Sequence, residues 1–314
     1  MKNISFILLL LIAFVSYGQE QTINKTFKGI KKIDLSTASG DITLKKGSSS
    51  DVNVVLKHTY DKNEFEPVFE ENSGRLTIEE RFERGSHSGH SNWTLEIPDN
   101  LDVKVNTGSG DVTIDGLNIE LRSNTGSGDM IITSVKGDLD FNTGSGDIEI
   151  ERGDGEIRLN TGSGNIRANG GTGVYNFNTG SGNIRAENLS GEMRMNTGSG
   201  SVNAKAIAIK GSSSFNTGSG SASVSLGGAL NHSISINSGS GNSTLNFNGN
   251  EINGEVVMTA NKRGGEIVAP FKFDNEETIR EGSNSERIEK TAKVGTRDIR
   301  IRVGTGSGKA EIVK

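Results

Sequence analysis

Asn160-Thr161-Gly162-Ser163-Gly164 decides the fold. The same five residues begin at Asn106, Asn124, Asn142, Asn178, Asn196 and Asn216, and Asn237 opens a variant, Asn-Ser-Gly-Ser-Gly. The first six copies recur every 18 residues, and the last two gaps are 20 and 21. A fixed period near 20 marks a stacked-repeat architecture.

Residues 156–173 show what one copy does. Ile157 and Leu159 alternate with Glu156, Arg158 and Asn160, the period-2 pattern of a half-buried strand. Thr161-Gly162-Ser163-Gly164 then reads as a turn, because glycine admits backbone angles that other residues avoid. Asn165-Ile166-Arg167-Ala168 alternates again, and Asn169-Gly170-Gly171 reads as a second turn. Neighbouring copies keep these columns. One residue before each Asn stand Val105, Ser123, Phe141, Leu159, Phe177, Met195, Phe215 and Ile236. Gly137, Gly155, Gly173 and Gly191 hold the same period at the opposite turn.

One copy is too small to bury its apolar residues, but stacked coils pair their strands with the coil above and below. Like residues then lie over one another, and the Asn, Thr and Ser columns can hydrogen-bond as ladders. The fold class is therefore all-β: a single-chain parallel β-helix, or β-solenoid, with coils of about 18 residues and irregular capping coils at both ends. Eight coils at ~4.8 Å each make a rod of roughly 40 Å. The rival is a large antiparallel sandwich or barrel with each Gly-Ser-Gly as a hairpin turn, which does not require such strict columns.

Outside the repeats the chain divides where its composition shifts. Residues 1–18 read as a secretory signal peptide: Met1-Lys2 is a basic start, residues 6–15 are apolar, and Ser16-Tyr17-Gly18 supplies small residues at a cleavage site. Residues 19–100 are expected to be N-terminal capping coils. Within them, residues 33–44 are a degenerate copy with Ala38 in place of the first glycine, taken as the first coil. Residues 52–56, 76–78 and 93–97 read as strands, and 60–72 and 81–92 as loops. Residues 101–248 are the regular β-solenoid repeats. Residues 249–314 read as a C-terminal loop and closing coil, with the charged stretch 270–293 a long loop or short helix and 299–312 a restored copy.

Composition narrows the function. The chain has no Cys, so no disulfide holds it, and ladder hydrogen bonds and stacked apolar columns must. The net charge of −5 is mild and mixed in sign, which argues against nucleic acid. None of the 3 prolines lies between Pro98 and Pro270, as a run of paired strands requires. No second apolar stretch could span a membrane once the leader is cleaved.

Leu95-Glu96-Ile97-Pro98-Asp99-Asn100-Leu101-Asp102-Val103, running into Thr-Gly-Ser-Gly-Asp repeats and closing with Ile299-Arg300-Ile301-Arg302-Val303-Gly304-Thr305-Gly306-Ser307-Gly308, resembles the bacterial putative-adhesin family, a domain of unknown function in exported and membrane-associated proteins. The resemblance covers residues 30–314. It implies a β-helical fold and a surface or envelope role, and it supplies no catalytic residues. The leader, with a mature chain beginning at Gln19, is similar in style to those of Bacteroidota proteins.

Four constellations carry candidate chemistry. Gly-Ser-Gly-Asp offers a calcium site at Asp111, Asp129 and Asp147, but calcium takes several oxygen ligands and the acid is lost after Asp147, so a structural turn is preferred. His87 and His90 offer two ligands without a third in view, which reads as a solvated loop. Asp138, Asp140 and Glu149 offer carboxylates for glycoside hydrolysis, but their columns hold Arg158 and Arg167 elsewhere, as a solvated face does. The Thr column, Thr107 to Thr217, offers an ice-matching array but sits at a turn. The expectation is an exported, non-enzymatic module for adhesion or cell-envelope interaction. It would reside in the periplasm, at the outer membrane or on the cell surface. Its partner would be a surface glycan or envelope protein, and it would act as a monomer with no cofactor, metal or catalytic residue. Its contact regions would be the charged outward columns and the segments 60–72, 81–92 and 270–293. The alternative is a polysaccharide-active β-helix enzyme.

Overall fold

The computed structural model describes residues 20–83, 88–281 and 285–314, so residues 1–18, expected to be a leader, and His87 lie outside the described residues. These residues form 25 strands and no helix. The amino-terminal part runs β1 (Gln21–Phe27), β2 (Lys32–Thr37), β3 (Asp41–Lys46), β4 (Val52–His58), β5 (Phe65–Asn72), β6 (Arg75–Phe82) and β7 (Ser91–Ile97). The body runs β8 (Asp102–Thr107), β9 (Val112–Asp115), β10 (Glu120–Thr125), β11 (Met130–Thr143), β12 (Ile148–Thr161), β13 (Ile166–Thr179), β14 (Ile184–Thr197), β15 (Val202–Ile209), β16 (Ser213–Thr217), β17 (Ala222–Leu226), β18 (Ile234–Ser238) and β19 (Ser243–Asn246). The carboxy-terminal part runs β20 (Gly254–Asn261), β21 (Glu266–Val268), β22 (Asn275–Glu281), β23 (Ser285–Val294), β24 (Arg300–Thr305) and β25 (Lys309–Val313).

The body is the expected β-solenoid. Its strands pair in parallel and in register, so Phe141 lies against Leu159 and Leu159 against Phe177. All three are fully buried, as are Met195, Phe215 and Ile236 in the same column. Each coil has two strand faces. The Thr-Gly-Ser-Gly turn joins them at one corner. The second corner is not a turn that ends a strand: β11 to β14 run through it as continuous 14-residue strands. Single positive-φ residues bend them there, Arg152 (57°) and Gly155 (116°) in β12.

The Thr-Gly-Ser-Gly glycines are not required for unusual backbone angles, because none of them has a φ in the left-handed region. Stacking requires them. A Cβ on Gly164 would lie 1.9 Å from the carbonyl oxygen of Gly146, its counterpart one coil earlier. The turn is closed by threonine. The Gly164 N–H donates to Thr161 Oγ1 (3.0 Å), and that hydroxyl donates to the Gly146 carbonyl (2.9 Å). The Thr column is therefore buried, which removes the ice-matching reading.

Both ends depart from chain order. At the amino-terminal end β2 pairs with β6 on one side and β8 on the other, and β3 likewise lies between β7 and β9. The first coil in sequence is thus the second in the stack. At the other end β24 lies between β18 and β20, and β25 between β19 and β21. The final coil of the chain is therefore slotted in beneath an end layer, not laid on top. Antiparallel strands cover the outer edges: β5 on β6, β4 and β1 on β7, and β23 and β22 on β20.

Two expectations are corrected here. Segment 60–72 is not all loop, because β5 occupies Phe65–Asn72 and turns Phe65 and Phe69 onto the aromatic rings of Tyr60, Phe82 and Trp93. Segment 270–293 is neither a long loop nor a helix but the β22–β23 hairpin. Charged alternating residues can be strands when the sheet has only one buried face. The outermost strands also carry residues that discourage further pairing, Pro67 and Glu70 on β5 and Lys25 on β1.

Candidate functional site

Alternation along each body strand points every second side chain outward. On the face that ends in the repeat Asn, three outward columns run along the rod. The outermost reads Asp102, Glu120, Asp138, Glu156, Val174, Glu192, and the next Lys104, Arg122, Asp140, Arg158, Asn176, Arg194. Acid and base therefore neighbour one another, and Arg158 pairs with Glu156. The third column is an amide ladder. Each Asn Nδ2 donates to the Oδ1 one coil earlier, from Asn124 onto Asn106 (3.1 Å) through Asn237 onto Asn216 (3.1 Å).

The candidate calcium residues form a second ladder. The Asp129 backbone N–H donates to Asp111 Oδ1 (2.8 Å), Asp147 N–H to Asp129 Oδ1 (2.7 Å) and Asn165 N–H to Asp147 Oδ1 (2.7 Å). Asn183, Ser201, Ser221 and Asn242 continue it. This explains the drift from Asp to Asn to Ser: the position needs a side-chain acceptor, whatever its charge. Burial raises the Asp147 carboxyl, but the Asn165 N–H and the Arg167 guanidinium (3.0 Å) outweigh burial and hold it below the usual carboxylate range. Among the described residues no group of three or more His, Asp or Glu could hold a metal ion.

The other candidates do not converge. His90 faces Thr59 (Nδ1 to Oγ1, 3.1 Å) in the amino-terminal region, and His87 lies outside the described residues. Asp138 and Asp140 share a small depression with Arg122 and Arg158, whereas Glu149 lies in a separate one with Arg167 and Arg185. The three are therefore not brought together at one place.

A site that sequence reading missed lies at the carboxy-terminal end of the Asn-ladder face. β18, β24, β20 and β23 run side by side there, with Ser235, Arg302, Val257 and Thr291 in one row and Asn237, Gly304, Thr259 and Glu289 in the next. They enclose a groove of about 460 Å³. Its floor is low because Ser235 and Gly304 replace longer residues of their columns. Gly304 stands where the ladder would place another Asn, and a Cβ there would lie 2.8 Å from Asn237 Oδ1 and 2.6 Å from Thr259 Oγ1. Arg300 is held by Glu255 (2.8 Å), and Arg287 and Glu289 rise on the hairpin side. The glycine in the closing repeat, Val303-Gly304-Thr305, was the readable signal. The approach of β20 and β23 was not readable, because it depends on the altered stacking order.

Residues 30–268 match the family model described as Toastrack DUF4097. Among solved structures the chain is similar to one described as a putative lipid binding protein from Parabacteroides distasonis ATCC 8503, at 16% identity and a TM-score of 0.48, with 95% of this chain and 98% of that one covered. It is similar as well to one described as a putative adhesin from Parabacteroides merdae ATCC 43184, at 15% identity and a TM-score of 0.42, with 95% and 97% covered. A third, described as a putative adhesin from Bacteroides fragilis NCTC 9343, gives 10% identity and a TM-score of 0.36, with 94% and 97% covered. No curated protein matches.

Proposed function

The chain belongs to the Toastrack DUF4097 family, and from that premise we propose an exported, non-enzymatic β-solenoid that serves as an adhesion or cell-envelope interaction module. The observation that carries this reading is the polar groove, set on a rigid laddered face and lined by hydroxyl, amide, guanidinium and carboxylate groups. Such a surface offers many hydrogen bonds at fixed spacing, which suits a hydrated, extended partner, and solenoid faces lend themselves to this use. A surface glycan or an envelope protein fits that description. The leader at residues 1–18 would direct export. No helix of the described residues is long and apolar enough to cross a membrane. The amino-terminal edges carry charge and proline, which favours a monomer.

Two measurements test this together. Cell fractionation should place the protein in the periplasm, the outer-membrane fraction or the cell exterior. A glycan array followed by incubation with the retained sugar should show binding without new reducing ends. A cytoplasmic location, or sugar cleavage by the pure protein, overturns the reading.

A further inference from the structure

We propose that the groove at the carboxy-terminal end binds an anionic saccharide, with Arg302 holding the acid group and Asn237 and Thr259 holding neighbouring hydroxyls. The proposal rests on the adhesion reading above and names its ligand class. Three observations carry it.

Arg302 is the first. It projects from β24 between Ser235 and Val257, and it makes no ion pair or hydrogen bond among the described residues. Its neighbour Arg300 differs, being held by Glu255 through both Nε (2.9 Å) and Nη2 (2.8 Å). A guanidinium without a partner offers a planar fork of donors matched to a carboxylate or sulfate.

The end of the amide ladder is the second. Within the ladder each Asn Oδ1 accepts from the next coil, but Gly304 supplies no amide to Asn237. Asn237 Oδ1 therefore accepts nothing from a described residue and borders the groove. Thr259 Oγ1 borders the same gap from the other side. An amide oxygen and a hydroxyl that close together over the buried Gly304 at the groove's edge suit a sugar hydroxyl, which both donates and accepts.

Size and polarity are the third. About 460 Å³ falls within the range of small-ligand sites. Of the lining only Val257, the buried Val303 and Gly304 are without a polar side chain, and the rest is polar or charged, Glu255 and Glu289 included, which disfavours a lipid chain.

The test uses the full mature chain and isothermal titration with three probes: a galacturonic acid hexamer, the neutral galactose hexamer, and inorganic polyphosphate. The uronic acid hexamer should bind, and the other two at least tenfold more weakly. Arg302→Ser should keep the fold, since Ser214 and Ser235 occupy the same column, and should weaken binding on the order of 10- to 100-fold. Gly304→Asn would press its Cβ against Asn237 Oδ1 and Thr259 Oγ1 and turn both side chains aside, so it should weaken binding at least tenfold, while its urea-unfolding curve shows that the fold is retained. Arg185→Ser, on the other face, should bind as the parent does. Equal binding of polyphosphate overturns the saccharide assignment, and parental binding by both groove variants overturns the location. If no probe binds, the groove assignment fails. A parallel whole-cell adhesion assay then shows whether the adhesion reading fails with it.

Discussion

The body and the two ends solve the same problem in opposite ways. In the body each coil rests on one nearly identical to itself, so one set of residues meets every need: Thr closes the turn, Gly admits the neighbouring carbonyl, and Asn and Asp pass hydrogen bonds up the rod. An end layer has a neighbour on one side only. There the chain abandons the period: at the amino-terminal end it lays down the second layer, then the outermost, and passes across to the third, and at the carboxy-terminal end it goes to the outermost layer first and returns to fill the one beneath. Antiparallel strands then cover what remains. Repetition thus stabilises an interior, whereas a terminus needs its own sequence.

The largest expected effect attacks the body's tolerance for side chains. Gly164→Ala would drive a methyl into the Gly146 carbonyl and the Asp147 nitrogen, rigid backbone of the preceding coil, and should cost at least ~3 kcal/mol in urea unfolding. Gly228→Ala, with nothing within 4 Å of the new methyl, should stay within about 0.5 kcal/mol. Equal effects would break the claim that stacking demands the glycines. Next comes Thr161→Val, which keeps the shape but strands the Gly164 N–H and the Gly146 carbonyl. A loss of about 2–3 kcal/mol is expected by the same measurement.

The third prediction separates the regions by pH. His58 is a buried histidine of the described core; it is 3% exposed, its ring centroid sits 4.7 Å from that of Phe65, and its Nδ1 has no partner. Burial lowers its pKa, against opposing effects of a hydrogen bond involving the Tyr60 backbone and the charge of Glu80. The folded state therefore holds the proton less well than the unfolded chain. Stability is present above the unfolded value near 6.5 and is lost as pH falls below it, by up to ~1.4 kcal/mol per unit until the folded pKa is passed. Hydrogen exchange should show the amino-terminal layers opening under mild acid before the body does, and His58→Phe should flatten that slope. Simultaneous opening of both would mean the end is no weaker than the middle. The smallest effect is a gain. Ser123 is buried in the Val105-to-Phe141 column with an unpartnered hydroxyl, so Ser123→Ala should stabilise by up to ~1 kcal/mol in the same titration.

The interior was legible because register leaves a written trace. Phe141, Leu159 and Phe177 stand 18 apart in the chain and adjacent in space, so counting along the sequence amounted to measuring the stack. The ladders were legible in outline, but the role of the turn glycines was misread, since φ is a property of one residue and the obstructing carbonyl belongs to another coil. The ends were opaque for a related reason. Val257 next to Arg302 is a pairing of residues 45 apart, across a hairpin whose alternation is charged and whose length matches no repeat. The groove lies on that boundary and so escaped the period-based reading, although Gly304 in place of Asn marked where to look.

The slotted ends also fix how such a molecule changes length. A copy appended at either terminus would find no open layer to join, because the outermost positions are already taken by chain that came from further in. A copy duplicated within the middle would meet matching partners above and below, lengthening the protein by one ~4.8 Å step. Span can be adjusted there like beads added to the centre of a clasped string, with the groove carried outward intact.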